Sequence, residues 1–112
     1  MPRVTAFNLR QDDPLPAIED AIRRALTSVP GIDIDGDEVD LVPVLAPESF
    51  HATVVRIDVD LWERRELTKD VLQELALGVA EGFLSVVGKD RRVKAVIRPY
   101  NVGKSGWVSS RS

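Results

Sequence analysis

Pro2 directly follows the initiator Met1. Met-Pro starts are normally trimmed by methionine aminopeptidase, which leaves proline as the N-terminus with a free secondary amine. That amine is a base carried by the main chain itself. An ordinary α-amino group titrates at about 8. Burial disfavours its charged form, and a neighbouring cation disfavours it further. In an apolar pocket beside an arginine, Pro2 would be neutral at about pH 7 and poised as a general base. It could take a proton α to a carbonyl and return it at another atom, which is tautomerisation. If Met1 is retained, the nitrogen is an amide and this chemistry is blocked. The plain structural reading is that Pro2 only stiffens the entry to a strand.

Arg64, Arg98 and Tyr100 are the other residues with chemical potential. Arg64 and Arg65 fall where a helix is expected to open. Cations there oppose the helix dipole at a cost of a few tenths of a kcal/mol, about the size of a weak contact, unless an anion sits nearby. That misfit points to anion binding by one of them, with Glu63 and Glu66 as the competing neutralisers. Arg98 and Tyr100 fall in the last expected strand, where each reads as structural or as a site residue. The remaining candidates are poor. The chain has no cysteine and a single histidine, His51, so thiolate chemistry and a multi-histidine metal site are excluded. Ser49 has no triad partners. The acidic run Asp33, Asp35, Asp37, Glu38, Asp40 lacks the glycine and the final glutamate of a calcium loop, and reads as a solvated turn. Gly103-Lys104-Ser105 is too short for a phosphate loop. No cofactor and no metal is implied.

The elements that must position these groups follow from periodicity. Residues 4–9 read as a strand that Asp12, Asp13 and Pro14 stop. Asp13 is placed to cap a helix with Pro14 in its first turn. Leu15, Ile18, Ile22, Leu26 and Val29 then recur at helical spacing until Pro30-Gly31. Residues 38–45 form a second strand and 46–52 a loop. In the third strand, Val55, Ile57, Val59 and Leu61 alternate with Arg56, Asp58, Asp60 and Trp62. A second helix is expected over about residues 66–86, on a stripe of Leu67, Val71, Leu75, Val79 and Phe83 with Gly88 as its stop. The fourth strand covers about residues 93–100. Residues 101–112 read as a loose polar tail anchored by Trp107.

The expected fold class is therefore α+β, with two β-α-β units in one domain over residues 1–112. They form a four-stranded mixed sheet with both helices on one face. Phe7-Asn8-Leu9 leads into the first helix as Val59-Asp60-Leu61 leads into the second, a faint internal repeat. The face without helices is expected to carry apolar residues and to be covered by oligomerisation. A net charge of −3 and an isoelectric point of 5.1 argue against nucleic-acid and anionic-membrane surfaces. No apolar run approaches a membrane span and no signal-peptide core is present, so the expected location is cytoplasmic.

These features resemble the tautomerase superfamily, which includes 4-oxalocrotonate tautomerase, malonate semialdehyde decarboxylase and macrophage migration inhibitory factor. The resemblance covers residues 2 to about 107. It rests on Pro2, on Phe7-Asn8-Leu9-Arg10-Gln11, and on Glu63-Arg64-Arg65-Glu66-Leu67-Thr68-Lys69. Val96-Ile97-Arg98-Pro99-Tyr100 and Gly106-Trp107 complete it. It implies a homotrimer, a prolyl nitrogen as proton carrier at Pro2, and a small oxo-acid substrate whose carboxylate is bound by arginine. It implies that Arg64 matches a decarboxylase-like loop arginine, and that Arg98 and Tyr100 lie near site-lining positions. Two departures stand out. Asp12-Asp13 replaces a frequent Gly-Arg, and Val96 replaces a tyrosine found near the proline in the inhibitory-factor branch. A non-catalytic ligand-binding module, of this fold or of the ferredoxin-like kind seen in ACT domains, has the same element order and is the alternative.

Overall fold

The computed structural model describes residues 2–46 and 54–101. His51, Ser49, Gly103-Lys104-Ser105 and Trp107 lie outside the described residues. The order is β1 (Arg3–Leu9), α1 (Leu15–Thr27), β2 (Asp40–Leu45), β3 (Val54–Trp62), α2 (Lys69–Val87) and β4 (Arg92–Tyr100). A short 3-10 turn, Gly36–Glu38, precedes β2 and is capped by the Asp35 carboxylate, which accepts from the Asp37 amide. Among the described residues no helix is long and apolar enough to cross a membrane.

The sheet runs β2-β1-β3-β4. β1 pairs parallel with β2 and β3 parallel with β4, while β1 and β3 are antiparallel. Each β-α-β unit thus keeps its two strands side by side. That departs from the split arrangement of the ferredoxin-like alternative, in which another strand separates them.

Alternation along the strands sends Val4, Ala6, Val55, Ile57, Val59 and Leu61 under the helices. There they meet Ile18, Ile22 and Leu26 of α1 and Leu75, Val79 and Phe83 of α2. The period of two breaks once. Asn8 takes a left-handed φ of 68°, the β1–β2 register skips between Phe7 and Leu9, and Leu9 returns to the core. Asn8 Nδ2 donates to the Val54 carbonyl at 3.2 Å, which ties this bulge to β3.

Two helix starts differ from expectation. Pro14 occupies the cap position of α1, with no side-chain capping bond. Asp13 instead accepts from the Arg10 amide at 2.7 Å and from Arg91 Nη1 at 2.6 Å, both carboxylate oxygens being engaged. α2 opens at Lys69, with Thr68 Oγ1 accepting from the Val71 amide. Arg64 and Arg65 therefore lie in the preceding loop, so the dipole argument for anion binding does not apply to them. Gly88, at φ 100°, ends α2 as expected, a conformation that side chains resist. Gly82 allows a close approach of the helices, since a Cβ there would stand 3.2 Å from the Ala21 carbonyl.

The face without helices refines a second expectation: it carries the expected apolar residues, but mixed with charged ones. In register it carries Arg3, Thr5 and Phe7 from β1, Asp40, Val42 and Val44 from β2, Val54, Arg56, Asp58, Asp60 and Trp62 from β3, and Arg92, Lys94, Val96, Arg98 and Tyr100 from β4. Its exposed apolar residues lie at the margins: Val42 and Val44 on the β2 edge, Val54 at the start of β3 and Tyr100 at the end of β4.

Candidate functional site

Pro2 is buried at the start of β1, and its carbonyl accepts from the Asp40 amide at 3.2 Å. The bond follows from the parallel β1–β2 ladder, which pairs Arg3 with Asp40 and brings the start of β2 beside the chain terminus. Pro2 is a wall common to two openings. One is a narrow slot lined by Ile32, Ile34, Leu61, Trp62, Arg64 and Leu67. The other is a wider cleft of about 200 Å³ lined by Arg3, Asp40, Asp60 and Tyr100.

The slot is apolar apart from Arg64. Ile32 and Ile34 come from the stretch after α1, Leu61 and Trp62 from the end of β3, and Leu67 from the loop before α2. Arg64 is exposed at this slot, with Nη1 donating to the Asp33 carbonyl at 2.6 Å. That bond holds the stem in place while leaving other N–H groups of the fork for a ligand.

On the cleft side, Arg98 is committed to carboxylates. Its Nε donates to Asp60 Oδ1 at 2.9 Å and its Nη2 to Asp60 Oδ2 at 3.3 Å, while Nη2 also lies 3.5 Å from Asp58 Oδ2. Asp58 in turn accepts from Arg56 Nε at 2.7 Å. Asp58 and Asp60 are only 4% and 5% exposed, although they sit on the face without helices. Paired guanidinium groups are what make such burial tolerable. The hydrogen bond to Asp60 raises the Arg98 pKa above its ordinary value, against a smaller opposing effect of burial. Tyr100 is exposed, and its ring meets Trp62 with centroids 5.8 Å apart and planes tilted by 56°. Its carbonyl accepts from the Glu63 amide at 2.6 Å, which fastens the loop carrying Arg64 to the end of β4.

Three of the four residues singled out in the sequence thus border these two openings: Pro2 both, Arg64 the slot and Tyr100 the cleft. Arg98 reaches the cleft through Asp60, which it holds. Sequence reading missed Arg3, Asp40 and Asp60. Alternation in β3 places Asp60 off the core, but only the strand register brings Arg3 and Asp40 beside it.

No family model and no curated protein sequence matches the chain. Solved structures do. A malonate semialdehyde decarboxylase, FG41, inhibited by 3-bromopropiolate, superposes with a TM-score of 0.68 at 18% identity, covering 99% of this chain and 91% of that one. An R7 fused 4-OT, described as an asymmetric trimer, gives 0.74 at 16% identity over 94% and 91%. A 5-carboxymethyl-2-hydroxymuconate delta-isomerase gives 0.67 at 12% identity over 100% and 89%. With two β-α-β units around one mixed sheet, the chain has the fold of the tautomerase superfamily.

Proposed function

We propose that the chain, once Met1 is removed, is a tautomerase-type isomerase of a small carboxylate-bearing oxo acid. Pro2 is the proton carrier and the assembly is a homotrimer in a cytoplasmic setting. The observation that carries this reading is the position of Pro2: buried, at the strand end, and wall to both an arginine-bearing slot and an open cleft. The fold shared with an isomerase and a decarboxylase agrees with it.

The slot supplies what the base needs. Ile32, Ile34 and Leu61 give the slot an apolar lining beside Pro2, and Arg64 brings a cation to it, which are the surroundings that suit an amine acting as a base. For an enol substrate, the nitrogen takes the hydroxyl proton and the O–H pair becomes the carbonyl π bond. The C=C pair then takes a proton from the resulting prolinium. Atoms and charge balance, and the amine is regenerated. Arg64 binds the substrate carboxylate at the slot, while Tyr100 and the Arg98-held Asp60 border the space for the rest of the molecule.

The test is ketonisation of phenylenolpyruvate by protein with a free Pro2 and by a form that keeps Met1. The trimmed protein is expected to turn over and the Met1-bearing form to be inactive. Equal rates would overturn the proline mechanism and favour a ligand-binding module. Light scattering checks the assembly, and a stable monomer at micromolar concentration would remove the trimer from this reading.

A further inference from the structure

The residues on the cleft side of Pro2 form one row across the whole sheet. Asp40 of β2 pairs in register with Arg3 of β1, Arg3 with Asp60 of β3, and Asp60 with Arg98 of β4. The charges alternate in sign along the row, and they are not equally used. Asp60 and Arg98 compensate each other through two hydrogen bonds. Arg3 and Asp40 are both exposed, and neither side chain has a hydrogen bond or ion pair with any described residue. One guanidinium fork and one carboxylate therefore border a cleft of about 200 Å³ with no partner among the described residues.

We propose that this cleft selects a neutral donor–acceptor group of the carboxamide kind at the end of the substrate remote from its carboxylate, with Arg3 and Asp40 as the residues that set the preference. The orientation, carboxylate at Arg64 and remote end in the cleft, rests on the function proposed above. A second carboxylate entering the cleft gains Arg3 but meets the like charge of Asp40, and an ammonium meets the converse. A carboxamide places its carbonyl oxygen on the Arg3 fork and its NH₂ on the Asp40 carboxylate, so every polar atom is used and no charge is opposed. Against a like charge and an unused partner, that difference is large enough to set specificity. The cleft volume is several times the roughly 30 Å³ that one water occupies in the liquid, so a group of this size fits.

Calorimetric titration with succinate and succinamate tests this directly. The two share a carbon skeleton and one carboxylate, and they differ only in a second carboxylate against a carboxamide. Protein with a free Pro2 is expected to bind succinamate at least about fivefold more tightly. Asp40→Asn should bring succinate to parity or better, Arg3→Ala should weaken succinamate, and Arg64→Ala should weaken both. A smaller wild-type ratio, no binding of either compound, or a preference that survives Asp40→Asn would overturn the proposal. Both substituted side chains in the cleft are exposed, and circular dichroism confirms that the variants fold. Because binding is read without turnover, the outcome is separate from the isomerase test. Succinamate selectivity in a protein that leaves phenylenolpyruvate unchanged would refute the isomerase and keep the cleft.

Discussion

Replacing Arg98 by alanine should cost stability more than it costs substrate affinity. The side chain makes two hydrogen bonds to Asp60, at 2.9 and 3.3 Å, and lies 3.5 Å from Asp58. Removing one partner of a buried ion pair costs about 3–5 kcal/mol, because the remaining charge is left buried. Here the guanidinium side is half exposed while the Asp60 side chain is 7% exposed. Water can replace part of what is lost, so solvent screening lowers the figure. Arg3, in register on the other side of Asp60, offers a second cation. Asp58 also keeps Arg56. About 2 kcal/mol is the resulting expectation, a sizeable fraction of a stability of roughly 5–15 kcal/mol.

Urea unfolding at fixed protein concentration measures this, since any oligomer makes apparent stability concentration-dependent. The cycle of Arg98→Ala, Asp60→Asn and the double variant isolates the pair. The double variant should be more stable than the sum of the single losses predicts, because the introduced amide carries no charge to leave buried. The pH dependence has a definite sign. The Arg98 pKa is raised in the folded state, so its contribution is fully present below the ordinary arginine value and is lost only above it. The loss in Arg98→Ala should therefore be visible at neutral pH. A loss under about 0.5 kcal/mol, with a KM for an acidic enol raised about tenfold or more, would refute the reasoning and make Arg98 a substrate-binding residue.

Other substitutions test other parts of the structure. Arg64→Ala should raise KM for an acidic substrate by the equivalent of about 1.5–3 kcal/mol, the worth of a charged hydrogen bond, and steady-state kinetics with unchanged KM would reduce Arg64 to a surface charge. Gly82→Ala should lower stability by about 1–3 kcal/mol in urea unfolding, because the added methyl meets the Ala21 carbonyl at 3.2 Å where α1 and α2 touch. Asp13→Ala should cost about 3–5 kcal/mol in the same assay, since Arg91 is buried and its Nη2 already lacks a partner among the described residues. An Arg91→Met partner change in the Asp13→Ala background should recover part of that loss.

What sequence reading reached and what it missed divide along one physical line: local period against long-range register. The stripe Ile18, Ile22, Leu26 and the stripe Leu75, Val79, Phe83 state the two helices, and the alternation Val55, Ile57, Val59, Leu61 states β3, because each pattern is complete within one element. Asp13 shows where such reading fails. Beside Pro14 it has every local mark of a helix cap, yet Arg91, 78 residues away, takes one of its oxygens. The opening of α2 reads early because Leu67 fits the apolar period, whereas the Thr68 hydroxyl sets the actual start. The bulge at Asn8 has a signal in the sequence, since Leu9 falls out of step with Val4 and Ala6.

The candidate site divides in the same way. Pro2 announces itself because its chemistry needs only a free nitrogen, whereas Arg64 is reached by a helix-dipole argument that the start of α2 at Lys69 removes and by its match to a loop arginine. Arg3, Asp40, Asp60 and Arg98 lie on four different strands and become one row only when three registers are known. That row also changes what the open face means. An uncovered apolar sheet would call for oligomerisation to hide it. This face mixes arginine-held carboxylates with apolar side chains such as Phe7, Val42, Val44 and Val96, so a cover over it would bury both kinds. Assembly through it would have to match charges, so it selects its partner by complementarity more than by apolar area. The same reasoning limits the substrate. With Arg98 committed to Asp60, the cations lining the two openings beside Pro2 among the described residues are Arg64 in the slot and Arg3 in the cleft, and Asp40 qualifies the second. A substrate that places its only carboxylate at Arg64 agrees with both sides of the proline. One that carries a carboxylate at each end satisfies the slot and opposes the cleft.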